Sequence, residues 1–340
     1  MPLPTVVLGE GGIRATRLGF GCAGLFRVPD PARRFSLLQA AYEAGLRHFD
    51  VAPMYGLGRA ESELGRFARP RRGEMTIATK FGIKPTFIGR SIGYAQRPIR
   101  RIFAAKPAVR DYARAGPARF AYEPSRLLYD SNEYDAACAK RSLERSLRAL
   151  NTDYVDLFLL HDPAPGSVRS DEVAACLEDA RAAGLIRSWG IAGEPEPTGD
   201  VARSFCRPVP IRQLRDDVFL RSLAREPDGA ALITYGVIAR PLARIGELMS
   251  TSDARTLRWQ RLIGEDARGL DLLASLLLRA ALRQNGSGVV LFSTTRPSRV
   301  NAAVNDLRTS CMPDDPVLDV FLELADAELR ARQILEREGR

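Results

Sequence analysis

The chain has 340 residues, 45% of them hydrophobic, and Lys+Arg 50 against Asp+Glu 41 gives a net charge of +9 and a pI near 9.6. That length and apolar share suit one α/β barrel with insertions, and no apolar run of about eighteen residues marks a membrane span. The basic excess is mostly arginine and spread along the chain; with no zinc-ligand spacing, RNP motif or basic helix leading into heptads, it does not indicate nucleic acid.

Met1-Pro2-Leu3-Pro4-Thr5 lacks a basic stretch before an apolar one, so no signal peptide is expected. Cys22, Cys138, Cys176, Cys206 and Cys311 are scattered and form no Cys-x-x-Cys pair. Such usage points to a reducing cytoplasm rather than a disulfide framework or a metal site.

In chain order, residues 5–8 and 13–17 flank Gly9-Glu10-Gly11-Gly12, a hairpin signal expected to plug the amino-terminal end of a barrel. Eight apolar runs then read as strands: residues 18–22, 48–51, 75–80, 155–161, 186–192, 209–213, 231–235 and 289–292. Helical patterns lie between them, as at residues 32–44, 134–150, 171–183 and 270–284. Gly45, Asn151, Gly184 and Asn285 stand just past these patterns as stop signals. This alternation predicts a closed (β/α)8 TIM barrel over residues 1–340 as one domain, with an open doubly wound sheet as the alternative.

Residues 81–130 break the pattern with a long insertion after the third strand. It is rich in Pro, Gly, Arg and Tyr and carries Arg90, Arg97, Arg100, Arg101, Lys106, Arg110, Arg114 and Arg119. It leaves the strand that ends in Lys80, so it is expected on the catalytic face. It reads either as a lid or wall for an anionic or sugar-like ligand, or as a surface excursion.

Asp50, Lys80 and His161 each end a strand-like run, and Tyr55 follows in Met54-Tyr55-Gly56. Polar side chains at the carboxyl ends of parallel strands are where barrels carry chemistry. A carboxylate, phenol, ammonium and imidazole together can deliver a proton to a carbonyl oxygen while a cofactor delivers hydride. Taken singly, Asp50 and Lys80 read as an inter-strand salt bridge, Tyr55 as a loop aromatic and His161 as a core histidine. His48, the other histidine, reads as structural.

These residues stand in stretches that resemble the aldo-keto reductase superfamily over nearly the whole chain. Gly45-Leu46-Arg47-His48-Phe49-Asp50, Tyr55 and Gly58-Arg59-Ala60-Glu61-Ser62-Glu63-Leu64-Gly65 are similar to its strongest signature. Leu150-Asn151-Thr152-Asp153-Tyr154-Val155-Asp156-Leu157 followed by His161 is similar to the second. Leu18-Gly19-Phe20-Gly21 and Gly184-Leu185-Ile186-Arg187-Ser188-Trp189-Gly190-Ile191 are similar to the first strand and to the approach to the fifth.

The resemblance implies an NAD(P)H-dependent oxidoreductase that reduces an aldehyde or ketone to an alcohol, or oxidises a sugar in reverse. Tyr55 would be the general acid, Lys80 the ammonium that lowers its pKa, Asp50 the group orienting Lys80, and His161 the donor to the carbonyl oxygen. It implies an extended nicotinamide dinucleotide, NADPH first and NADH second, with no Rossmann glycine motif needed. Cofactor positions carried over are Gly21, Gln213 at the carboxamide, Tyr235 stacked on the nicotinamide, and Ser293, Thr294, Thr295, Arg296 and Arg299 around the phosphates. Ala192-Gly193 stands where the family usually places Ser-Asn on the carboxamide, and the lysine expected near Ser293 is absent. The second reading implied is a cofactor-sensing regulatory subunit with little turnover.

Overall fold

The computed structural model describes residues 2–9, 11–86, 129–131, 134–226, 231–249, 254–263, 268–310 and 314–338. Eight parallel strands close into a barrel in the order β3 (Leu18–Gly21), β4 (His48–Asp50), β5 (Thr76–Phe81), β8 (Val155–His161), β9 (Ile186–Gly193), β10 (Ile211–Arg215), β11 (Ala231–Tyr235) and β12 (Val289–Phe292). These are the eight apolar runs of the sequence. The largest shift in bounds is in β10, which starts two residues later than residue 209 and runs on to Arg215, so Gln213 sits inside the strand rather than at its end.

Successive side chains of a strand point to opposite faces. Ala78, Leu157, Leu159, Ile211, Ile233, Val289 and Leu291 fill the barrel interior. Phe49, Ile77, Phe158, Leu160, Trp189 and Ile191, one residue out of phase, pack outward with the helices. The same inward period carries Asp50, Lys80, His161, Gln213 and Tyr235 into the upper barrel.

The amino-terminal hairpin is present: β1 (Thr5–Leu8) pairs antiparallel with β2 (Ile13–Thr16). Its Leu8, Ile13 and Ala15 join the interior side chains. The Thr76 hydroxyl donates to the Arg14 carbonyl at 2.9 Å, fixing the hairpin beneath the start of β5. The bottom of the barrel is thereby closed.

Two of the helices start at aspartate caps. Asp30 accepts from the Ala32 amide ahead of α1 (Pro31–Glu43), with Pro31 at the first position. α2 (Ala60–Ala68) crosses the end of α3 (Ala136–Leu150) closely, because a Cβ on Gly65 would meet the Leu150 carbonyl oxygen at 2.3 Å. Asp135 caps α3 and Asn151, in the left-handed region at φ 52°, ends it. α4 (Ser170–Ala182), α5 (Pro195–Arg203), α6 (Ala239–Met249), α7 (Ala254–Ile263), α8 (Arg268–Gln284), α9 (Pro297–Ser310) and α10 (Pro316–Glu338) complete the layer. Asn285 marks the end of α8 by another route than a left-handed cap. Its side-chain amide donates to the Val289 carbonyl at 3.1 Å and to the Thr234 hydroxyl at 3.3 Å, tying β11 to β12.

After the third barrel strand, β6 (Ile83–Pro85) pairs antiparallel with β7 (Tyr129–Ser131), a two-stranded stem for the insertion. The arginines singled out between residues 90 and 119 lie outside the described residues. Among the described residues no helix is long and apolar enough to cross a membrane.

Candidate active site

Asp50, Lys80 and His161 end or nearly end β4, β5 and β8, and all three are almost fully buried. Tyr55 lies on a short turn after β4, its amide donating to the Ala52 carbonyl at 3.0 Å. Gly56 takes φ +60° there, and a Cβ on it would strike the Phe26 ring at 2.3 Å, so this turn requires glycine.

The four side chains meet. Lys80 Nζ donates to both carboxylate oxygens of Asp50 at 2.7 Å and to the Val51 carbonyl at 3.1 Å. It stands 3.5 Å from the Tyr55 hydroxyl. The Tyr55 and His161 rings meet edge to face with centroids 5.9 Å apart. The Tyr134 hydroxyl donates to the His161 carbonyl and braces the end of β8 from the insertion's return.

The electrostatics differ in one respect from the sequence expectation. The Tyr55 phenol is pushed well above its ordinary pKa, first by burial and then by the Asp50 charge. Lys80 Nζ, held by both oxygens of Asp50, does not reverse this shift in the resting site. His161 is driven well below its ordinary pKa by burial and then by Lys80, so its imidazole is neutral at pH 7. Its Nδ1 has no hydrogen-bond partner among the described residues.

Sequence reasoning passed over the neighbours of this group. Asp162 follows His161, with a carboxylate oxygen 3.9 Å from His161 Nε2. Burial first, and then the Glu194 charge, raise its pKa to about 6. Arg215 at the end of β10 donates to both oxygens of Glu194, at 3.0 and 2.7 Å, and Arg240 stands 3.7 Å from the same carboxylate. A carboxylate directly after a strand-ending histidine was the available signal for Asp162.

The expected cofactor positions form a less uniform set. Gln213 is buried in β10, and its side-chain carbonyl lacks a hydrogen-bond partner among the described residues. Tyr235 ends β11, partly buried against the barrel interior. The Ser293 hydroxyl donates to the Gly21 carbonyl at 2.7 Å, and a Cβ on Gly21 would lie 2.6 Å from that hydroxyl. Thr294 accepts from the Arg296 amide at 3.1 Å, bending the exposed loop into α9. Arg299 faces Asp271 at 3.3 Å, in an exposed pair.

A model of the Aldo/keto reductase family matches residues 17–209. The chain belongs to this family. Its members are oxidoreductases. This aldo/keto reductase is 29% identical over 186 residues to D-threo-aldose 1-dehydrogenase of a Pseudomonas species, covering 53% of this chain and 50% of that one. It is 42% identical over 78 residues to pyridoxal 4-dehydrogenase of Microbacterium luteolum, covering 22% of this chain and 23% of that one. The chain thus spans half or less of the length of these curated relatives. Among solved structures, an aldo-keto reductase from Bacillus halodurans in its holo form superposes with TM-score 0.66 at 18% identity, over 95% of this chain and 96% of that one. An aldo-keto reductase from Klebsiella pneumoniae in complex with NADPH gives TM-score 0.56 at 21% identity, over 91% and 90% of the two chains. At these identities the structures establish the shared barrel.

His48 of this aldo/keto reductase lies inside the barrel below Asp50, fully buried, with neither ring nitrogen hydrogen-bonded among the described residues. Burial lowers its pKa to about 4, against smaller opposite effects of Asp50 and Asp156. Below about pH 6.5 the unfolded chain takes up a proton here that the folded chain refuses until about pH 4. The stability contributed by neutral His48 is therefore complete above pH 6.5 and falls through that window, by roughly 3 kcal/mol. Urea unfolding of wild type and His48→Leu from pH 7 to pH 4 checks this. The wild type should lose stability relative to the variant as pH falls; Asp162, which titrates with the opposite sign, is common to both and cancels. A pH-independent difference would show that His48 does not titrate in this way.

Proposed function

We infer that this chain is an NAD(P)H-dependent oxidoreductase that reduces an aldehyde or ketone to an alcohol, or oxidises an aldose in reverse. The observation that carries the reading is the Lys80 ammonium, clamped by Asp50 and 3.5 Å from the Tyr55 hydroxyl, beside a neutral His161 at the barrel mouth.

The residues present fit a nicotinamide dinucleotide. Gln213 offers a buried side-chain carbonyl that has no partner among the described residues, at the level of the barrel where Ala192 carries no polar side chain. The exposed loop from Ser293 to Arg299 supplies hydroxyls, amides at the start of α9, and two guanidinium groups for phosphate. When bound, the reduced cofactor supplies the hydride. Arg296 and Arg299 favour NADPH over NADH. Asp271 opposes this weakly, since an exposed pair contributes little.

Tyr55 gives its proton to the carbonyl oxygen in reduction and takes it back in oxidation. Burial keeps the phenol protonated at rest, which is the form reduction needs. Lys80 stabilises the phenolate as it forms, and Asp50 keeps the ammonium aimed. His161 donates an N–H to the same oxygen as negative charge develops there. The names of the two dehydrogenase relatives support aldoses and other polar aldehydes as the substrate class.

The test is absorbance at the reduced-nicotinamide band, with NADPH and NADH separately, against aldehydes, ketones and, with the oxidised cofactors, aldoses. Turnover is expected, with the higher kcat/KM for the phosphorylated cofactor. Absence of turnover together with absence of dinucleotide binding would overturn the reading.

A further inference from the structure

His161, Ala192 and Gln213 lie in register on three adjacent strands, at one level of the barrel. The middle strand ends bare, in Ala192-Gly193. On either side stands an acceptor without a donor. On β10 the Gln213 carbonyl is buried and unpartnered among the described residues. At the end of β8 the Asp162 carboxyl, with 31% of its side chain exposed, accepts no hydrogen bond among the described residues, and one of its oxygens lies 3.9 Å from His161 Nε2.

Space and backbone are both committed to that carboxyl. A Cβ on Gly193 would lie 2.6 Å from Asp162 Oδ1, so a side chain at 193 and this carboxyl exclude each other. Asp162 takes φ +49°, in the left-handed region, although it is not glycine and precedes a proline. Its amide donates to the Ala192 carbonyl at 2.7 Å, which holds the turn in place. Strained residues of this kind persist only where their surroundings hold them, and they gather at functional sites. The raised pKa of Asp162 fits a half-buried acceptor that lacks donors, and donors from a ligand would lower it.

Two acceptors flanking one bare strand end call for a ligand with two divergent N–H donors on one atom. A primary carboxamide has them. In nicotinamide the carboxamide sits on the ring carbon next to the one that carries hydride, so it must lie close to Tyr55 and His161.

We propose that Asp162 holds the nicotinamide carboxamide from the β8 side, with Gln213 holding it from the β10 side, in place of a side chain on β9. This rests on the nicotinamide reading given above. Its test is calorimetric titration of wild type, Asp162→Asn and Asp162→Gly with NADP+ and with its 3-acetylpyridine analogue, in which a methyl replaces the amide NH2. Asn and Gly both tolerate the left-handed backbone; Asn keeps an acceptor oxygen and Gly removes it. Asp162→Gly is expected to weaken NADP+ binding roughly 10- to 100-fold. Asp162→Asn should stay close to wild type, and the analogue should bind wild type and Asp162→Gly alike. An equal loss for both dinucleotides, or no loss for NADP+, overturns the proposal. A wild type that binds neither dinucleotide instead overturns the cofactor reading, and this proposal falls with it.

Discussion

Tyr55→Phe is expected to lower kcat by roughly two to four orders of magnitude while dinucleotide binding and thermal unfolding stay near wild type. The substitution removes one oxygen. That oxygen lies 3.5 Å from Lys80 Nζ, which keeps its bonds to Asp50 and the Val51 carbonyl without it, and the ring that remains still meets His161 edge to face. The fold therefore loses little, whereas the reaction loses its proton donor. His161 cannot take over, because burial keeps its imidazole neutral and its basicity low. Stopped-flow hydride transfer beside equilibrium cofactor titration separates the two effects. A Phe variant with turnover within about threefold of wild type would sink the general-acid assignment, since a positioned acid is worth far more than that.

The second large effect is on stability. Lys80 is 1% exposed, and its ammonium is held by both Asp50 oxygens and the Val51 carbonyl. Asp50→Leu leaves a buried cation with no counter-charge and should cost about 3–5 kcal/mol in urea unfolding. Lys80→Met strands the carboxylate and should cost about the same. The double variant should recover most of the loss, because two apolar side chains of similar volume replace the pair and neither charge is left alone. Additive losses would mean that the two groups do not depend on each other. Turnover is expected to vanish in all three proteins, so stability and chemistry part company in the double variant.

Much of this was legible in the sequence, because a barrel strand is short, buried on both faces and marked by what ends it. Asp50, Lys80 and His161 announced themselves as polar residues closing apolar runs, and the eight runs became the eight strands. His48 was legible as structural from its position two residues before Asp50, which puts it on the same inward face. What stayed hidden depended on partners distant in sequence. Burial and Asp50 outweigh Lys80 at the Tyr55 phenol, and that balance exists only once all three are packed together. Asn285 looked like a helix stop, but its amide works across to β11 and β12. The Glu194–Arg215 pair needs β9 and β10 side by side. Asp162 was concealed by its own neighbour: a residue before proline ordinarily takes an extended backbone, and this one does not.

The register of the barrel has a consequence for how members of this family can diverge. Because His161, Ala192 and Gln213 share one rung, a polar group lost from one strand can be restored from the strand beside it without moving the ligand. A closed ring has no first staircase: function attaches to height above the floor, and any of eight columns can supply it. If Asp162 holds the carboxamide as proposed, comparing sequences column by column counts Gly193 as a deficit and passes over Asp162. Comparing them storey by storey counts the two together.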